Sequence, residues 1–185
     1  LLVAVGIAWA QGGMKKKKPL PFEFGSVTIN NYSQPAGIPP VVFDHWVHRR
    51  YYTCRLCHVD IGFGMTAGST KIRAVDNMKG YFCGTCHNGK MEHGEKIFAS
   101  CASKYTRDEY NNRCVKCHTL ERSAAKENEF FRFSQKMPSE RFGNGINWEI
   151  AEEKGLIMPI DYLEGVSSKN ANLKVTSDFA IKSKV

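Results

Sequence analysis

Between His45 and His118 the chain repeats one short pattern three times, as CRLCH at residues 54–58, CGTCH at 83–87 and CVKCH at 114–118. Each copy is C-x-x-C-H, the attachment signature of a c-type haem. Residues three and four apart share one face of a helical turn, so both thiols reach the haem edge while the histidine reaches the iron. The pattern predicts six tethering cysteines and three proximal ligands: Cys54, Cys57, Cys83, Cys86, Cys114, Cys117, His58, His87 and His118.

A single C-x-x-C pair also suits half of a zinc site or a redox-active dithiol. Neither of those sites needs a histidine directly after the second cysteine, yet all three pairs have one. We therefore predict three covalently attached c-type haems. The colour of the purified protein separates the alternatives, because a zinc protein is colourless and a haem protein is red.

Three histidines remain once the proximal positions are assigned, namely His45, His48 and His93. All the histidines of the chain lie between residues 45 and 118, so one spare histidine for each iron predicts bis-histidine ligation. His45 and His48 are one turn apart on a short helix that Asp44 is expected to cap. Side chains at this spacing have Cβ atoms about 5–6 Å apart and suit two different haems, whose irons would lie on the order of 10 Å apart.

Phe43, His45 and His48 form an F-x-H-x-x-H pattern ahead of the three motifs. Together they resemble the small triheme cytochromes of the c-seven group, within the class III multihaem cytochromes. The resemblance implies that His45 faces His58 and that His48 faces His87.

The third distal ligand departs from that group. In its small soluble members the third distal histidine precedes the second motif, whereas His93 follows it here. The short stretch from His87 to His93 leaves the chain little room to pass around a porphyrin. We therefore predict that His93 serves the third haem, opposite His118.

Two further residues leave alternatives open. Met65 lies in the run GFGMTAG at residues 62–68, which resembles a Met-Lys-Ala-Gly stretch in longer triheme domains of metal-reducing bacteria. A thioether from Met65 is the alternative axial ligand and would raise the potential of its haem. Cys101 is the one cysteine outside the motifs, and it either pairs with another chain or is a buried free thiol.

The aromatic residues around the motifs are expected to pack on the porphyrins: Phe43, Trp46, Tyr51, Tyr52, Phe63, Tyr81, Phe82 and Phe98. A segment as short as residues 41–120 builds a thin core by itself, so the haems are expected to form most of it. The predicted fold class is a small haem-cored domain of mostly short α-helices and loops, with little β-structure.

Composition divides the chain into four segments. Residues 1–10 are apolar and end in Ala8-Trp9-Ala10, which predicts a signal-peptide remnant or the stub of a membrane anchor. Residues 11–40 form a leader or linker, residues 41–120 the triheme domain and residues 121–185 a C-terminal extension or linker. Within the extension, helices are predicted over residues 121–136 and from Asn147 to Lys154.

The net charge of +8 does not indicate a nucleic-acid partner. Three haems bring six propionates, which reduce the net charge to about +2. Four positive charges are consecutive, from Lys15 to Lys18. Contact of this run with an anionic lipid surface or an acidic redox partner is an open alternative to a solvated linker.

These patterns predict an exported cytochrome, periplasmic or extracellular, that passes electrons between closely spaced haems. Other redox proteins or cytochromes are its expected partners. Saturated irons have no position for a substrate, so no catalytic residue is predicted. Two alternatives remain open: a reductase with one open iron, and a haem module of a cytochrome filament or membrane redox complex.

Overall fold

The computed structural model describes residues 18–93, 95–104, 106–119 and 124–161. The predictions for residues 1–10, for Lys15 to Lys17 and for the end of the extension from residue 162 onward lie outside the described residues. Within those ranges every helix is too short or too polar to span a bilayer.

Regular structure in the described residues consists of short elements. The strands are β1 (Ser26–Ile29), β2 (Val41–Asp44), β3 (Glu92–His93) and β4 (Glu95–Lys96). The α-helices are α1 (His45–Arg49), α2 (Ala74–Met78), α3 (Arg107–Asn112), α4 (Ala124–Ser134) and α5 (Trp148–Glu153). Helical turns of other types cover Pro21–Glu23, Gln34–Ala36, Leu56–Asp60, Phe82–Thr85 and Cys114–Lys116. The predicted fold class, short helices and loops with little β-structure, is confirmed.

A two-stranded hairpin leads directly into the first helix. β1 and β2 pair antiparallel, with Ser26 opposite Asp44 and Ile29 opposite Val41. β2 ends at Asp44 and α1 begins at the next residue, His45. The pairing of β2 with β1 therefore fixes where the helix begins. The hairpin therefore connects a segment ahead of residue 41 to the helix that carries His45 and His48.

Asp44 lies at the predicted N-cap position of α1, but its side chain does not cap the helix. The carboxylate is 6% exposed, accepts a hydrogen bond from Ser26 Oγ at 2.5 Å and pairs with Lys126 Nζ at 3.1 Å. The prediction of a capping side chain is wrong because these two partners draw the carboxylate toward β1 and α4.

The largest apolar cluster lies behind α1 and is built from three separate segments. It joins Phe22, Trp46, Phe130 and Ile146, with Phe133 and Trp148 packed against it. Trp46 is 1% exposed and meets the Phe130 ring edge-on, with the centroids 5.3 Å apart. The expectation that Trp46 packs on a porphyrin is therefore wrong, because side chains from the leader and the extension surround it.

Arg49, the last residue of α1, and Arg50, which follows it, both form ion pairs with the extension. Arg50 Nη2 pairs with Glu129 at 2.8 Å, and its guanidinium lies 5.5 Å from the Trp46 ring centroid. Arg49 pairs with Glu152 at 3.2 Å and lies over the Trp148 ring. Both predicted helices of the extension are present within the described residues, as α4 and α5, and both face α1.

A second, smaller apolar cluster supports the first C-x-x-C-H motif. It contains Tyr52, Leu56 and Ile61, with Ile160 packed against it. Ile160 N donates to Tyr51 O at 2.8 Å, and Thr53 N donates to Ile160 O at 3.1 Å. The extension thus runs beside the chain that enters the first motif.

Replacing Phe130 with alanine should destabilise the protein by about 3–5 kcal/mol, because it opens a cavity against Trp46. The neighbouring Phe131 is 43% exposed, whereas Phe130 is 1% exposed. Phe131→Ala is therefore the matched control and should cost far less. Chemical denaturation of the haem-loaded full chain measures both, and equal losses would show that the extension does not pack on α1.

Candidate functional site

The first pair of candidate iron ligands is His45, on α1, and His58, in the first motif. Their ring centroids lie 6.3 Å apart, and their ring planes differ by 10°. Two imidazoles that bind one metal ion from opposite sides, each at about 2 Å, have centroids roughly 6 Å apart. The pair therefore has the separation that axial ligation of one iron requires.

The second pair is His48, also on α1, and His87, in the second motif. Their ring centroids lie 6.2 Å apart, with an interplanar angle of 63°. Burial lowers the pKa of His48 to about 4, and burial also lowers the pKa of His87. Both rings are consequently neutral near neutral pH, which is the form that binds a metal.

Backbone carbonyls orient the rings of five of the six candidate histidines through Nδ1. A carbonyl only accepts, so Nδ1 carries the proton and Nε2 is left to bind a metal, as is usual around metal-ligating histidines. The contacts run from His58 to Phe63 (2.9 Å), His87 to Phe98 (3.1 Å), His118 to Pro39 (2.7 Å), His45 to Gly25 (2.5 Å) and His48 to Asp44 (3.4 Å).

Single helical turns hold the cysteines and histidine of each motif. In the second and third motifs, the backbone N–H of the histidine donates to the carbonyl of the first cysteine at 2.8 Å, from His87 to Cys83 and from His118 to Cys114. The first motif continues into the wider turn Leu56–Asp60, where Thr53 Oγ1 accepts from Leu56 N at 3.3 Å. This local winding places the two thiols and the histidine on one side, as haem attachment requires.

Neighbouring motifs approach each other through their cysteines. Burial and the nearby thiol of Cys57 raise the pKa of Cys86 to about 12. Burial and the nearby thiol of Cys117, with that of Cys101, raise the pKa of Cys83 to about 12. Thiols of the second motif are therefore near enough to thiols of both other motifs to be affected by them.

The third motif is hydrogen-bonded to the segment that leads into α1. Val42 N donates to Cys117 O at 3.0 Å, and Thr119 N donates to Pro40 O at 3.2 Å. One backbone segment, residues 39–42, thus contacts the third motif directly before it supplies His45 and His48 to the other two.

His93 and Met65 lie away from the third motif in this structure. The His93 ring packs against Tyr51 and Tyr52, at centroid distances of 4.6 and 5.8 Å, and has no ring contact with His118 among the described residues. Met65 is 69% exposed. The structure therefore brings together two of the three predicted imidazole pairs and leaves the third unmatched.

Sequence reasoning missed that Cys101 lies near His118. This proximity lowers the pKa of the Cys101 thiol and raises the pKa of His118. Asn77 Nδ2 lies 3.6 Å from Cys101 Sγ on another side. The odd cysteine count drew attention to Cys101, but no local pattern connects it with His118.

Two glycines that support the site also carry no sequence signal of their role. Gly25 has a φ of +74°, a conformation that favours glycine. Its carbonyl accepts the hydrogen bond from His45 Nδ1. Gly84, between the cysteines of the second motif, lies against α2, and a Cβ there would approach Asn77 Cα to 2.8 Å.

Paired imidazoles beside three C-x-x-C-H motifs form a donor set that fits haem, as in multihaem c-type cytochromes. Residues 41–119 match the family model described as cytochrome c7 and related cytochrome c, which supports a c7-type multihaem cytochrome in this part of the chain. The family consists of electron carriers with covalently attached haem. Comparisons with curated proteins and with solved structures found no match.

Gly84→Ala should lower stability by about 1–3 kcal/mol, since an added methyl group overpacks the contact with the Asn77 backbone. The equivalent position of the third motif is Val115, which is 39% exposed. Val115→Ala, the control, should change stability little. Thermal unfolding of the haem-loaded variants measures the effect, and an unaffected Gly84→Ala protein would contradict the close packing of α2 on the second motif.

Proposed function

We propose that this chain is an exported triheme cytochrome that transfers electrons through three closely spaced haems. The observation that carries the proposal is the arrangement of His45 and His48, which extend from one turn of α1 toward histidines of two different motifs. Each haem, when bound, supplies an iron that alternates between the ferric and ferrous states. The polypeptide tethers these haems and positions their ligands.

The proposed tethers are Cys54 and Cys57 for the first haem, Cys83 and Cys86 for the second, and Cys114 and Cys117 for the third. His58, His87 and His118 are the proposed proximal ligands. His45 and His48 are the proposed distal ligands of the first two haems. The predicted assignment of His93 to the third haem stays a prediction.

Proximity of the three motifs supports electron transfer along a series. Cys86 lies near Cys57, and Cys83 lies near Cys117, so the second motif adjoins both of the others. His48 and His87 are partly buried, whereas His45 at the first motif is exposed. The polypeptide therefore covers the His48–His87 pair more than it covers His45, which suits exchange with a redox partner at the first motif.

The imidazole pairs at the first two motifs support the role of a carrier and not of an enzyme. The imidazole pairs leave no free coordination position at the first two irons, and no catalytic residue is proposed. Export is supported by the apolar residues 1–10 with Ala8-Trp9-Ala10 and by the chemistry of covalent haem attachment outside the cytoplasmic membrane. The proposed partners are other redox proteins or cytochromes.

The intact denatured protein should have the mass of the polypeptide plus three haems. Cys54→Ala should weaken attachment of the first haem and leave the other two in place, because each motif tethers its own group. Mass spectrometry after denaturation measures both. A wild-type mass equal to that of the bare polypeptide would refute the proposal.

His45→Ala and His48→Ala should each open one iron, and a different one. Reduced protein of either variant should bind one more carbon monoxide than wild type, and the double variant two more, because one helical turn serves two haems. Arg49→Ala, from the same turn, is the control and should bind none beyond wild type. If the double variant gains only one carbon monoxide, both histidines face a single iron.

A further inference from the structure

The chain that follows the second motif turns back and holds His87 at two levels. Ser100 N donates to the His87 carbonyl at 2.7 Å, which joins the backbones of the two segments. The imidazole is held as well, because His87 Nδ1 donates to the Phe98 carbonyl at 3.1 Å. One short segment, residues 98–100, therefore fixes both the backbone and the ring of His87.

The side chain of Phe98 adds a further contact with the same imidazole. Its ring centroid lies 4.5 Å from the centroid of the His87 ring, and the two ring planes are inclined by 53°. Rings packed at this distance restrict each other's rotation, because turning either one brings their atoms into overlap. Phe98 thus limits the plane of the His87 ring as well as orienting its Nδ1.

The other two proximal histidines lack this combination among the described residues. His118 donates through Nδ1 to the carbonyl of Pro39, which has no aromatic ring. His58 donates to the carbonyl of Phe63, whose ring packs against Phe82 at a centroid distance of 5.5 Å. The second motif therefore differs from the other two in how its proximal imidazole is held.

A cation from the third motif lies over the same phenylalanine ring. Lys116, between Cys114 and Cys117, has its Nζ 4.8 Å from the ring centroid of Phe98. The negative face of the ring attracts the ammonium group and holds the otherwise flexible side chain in place. The positive charge is therefore one aromatic ring away from the imidazole of His87. A positive charge near a haem favours the ferrous over the ferric state and raises the potential.

We propose that Phe98 is a positioning residue for His87 and that Lys116, held over the Phe98 ring, raises the potential of the second haem. The proposal rests on the proposed ligation of that haem by His87. Phe98 acts through the plane of the imidazole, since residues that contact a metal ligand orient it and tune the metal. Lys116 acts through its charge, so a residue of the third motif contributes to the redox properties of the second haem.

Phe98→Leu tests the positioning role, because leucine keeps the backbone carbonyl and an apolar side chain but removes the ring. In the ferric, haem-loaded full chain, proton NMR resolves the haem methyl signals, and contacts with the protons of Cys83 and Cys86 identify the second haem. Phe98→Leu should change the spread of these signals, which depends on the ligand plane, and leave the first haem unchanged. Phe98→Tyr keeps the ring and should restore the wild-type spread. An unchanged spread in Phe98→Leu would overturn the positioning role.

Lys116→Gln tests the charge, and this variant should fold because the side chain is exposed. A redox titration followed through the same signals should show a lower potential of the second haem, whereas Lys116→Arg should keep the wild-type value. Lys90→Gln is the matched control, because this exposed lysine lies three residues after His87 and its loss should shift the potential less. An unchanged potential in Lys116→Gln, or an equal shift in Lys90→Gln, would refute the role of Lys116.

The mass of the proteolytic peptide that contains Cys83 and Cys86 separates this proposal from the proposed function. If the wild-type peptide carries no haem, both are refuted. If it carries one haem whose signals and potential do not respond to the variants, only the roles of Phe98 and Lys116 are refuted.

Discussion

The constraint on which the structure depends is that one turn of helix presents two imidazoles to the histidines of two different motifs. α1 is only five residues long, and a helix of that length is not stable by itself. Its position must come from tertiary contacts. β2 fixes its beginning, and Trp46, between the two histidines in sequence, turns to the opposite side and is buried against Phe22 and Phe130. The apolar cluster thus packs on the side of α1 that carries Trp46, while His45 and His48 project from the other side.

The same segment also links the third motif to the other two. Residues 39–42 bond to Cys117, His118 and Thr119 and continue directly into α1. A displacement of this strand would therefore alter all three sites together.

Local sequence patterns predicted the features that depend on residues close together in the sequence. The C-x-x-C-H spacing and the one-turn separation of His45 and His48 depend only on helical geometry. The start of α5 was predictable for the same reason, since Asn147 Oδ1 accepts from Ile150 N at 3.0 Å within one turn. By contrast, the burial of Trp46 by Phe130 and the nearness of Cys101 to His118 depend on where distant segments meet. No periodicity or spacing in a single sequence carries that information.

Burial of the thiols has a consequence for biosynthesis. Cys54 is exposed, but the other five motif cysteines are partly buried, and burial raises the pKa of Cys57, Cys83, Cys86 and Cys117. A thiol that is covered and protonated is a poor nucleophile toward a vinyl group. The extension that packs on α1 and the first motif follows all three motifs in the sequence. Haem attachment should therefore be easiest before Phe130 and Ile160 have packed against α1 and the first motif.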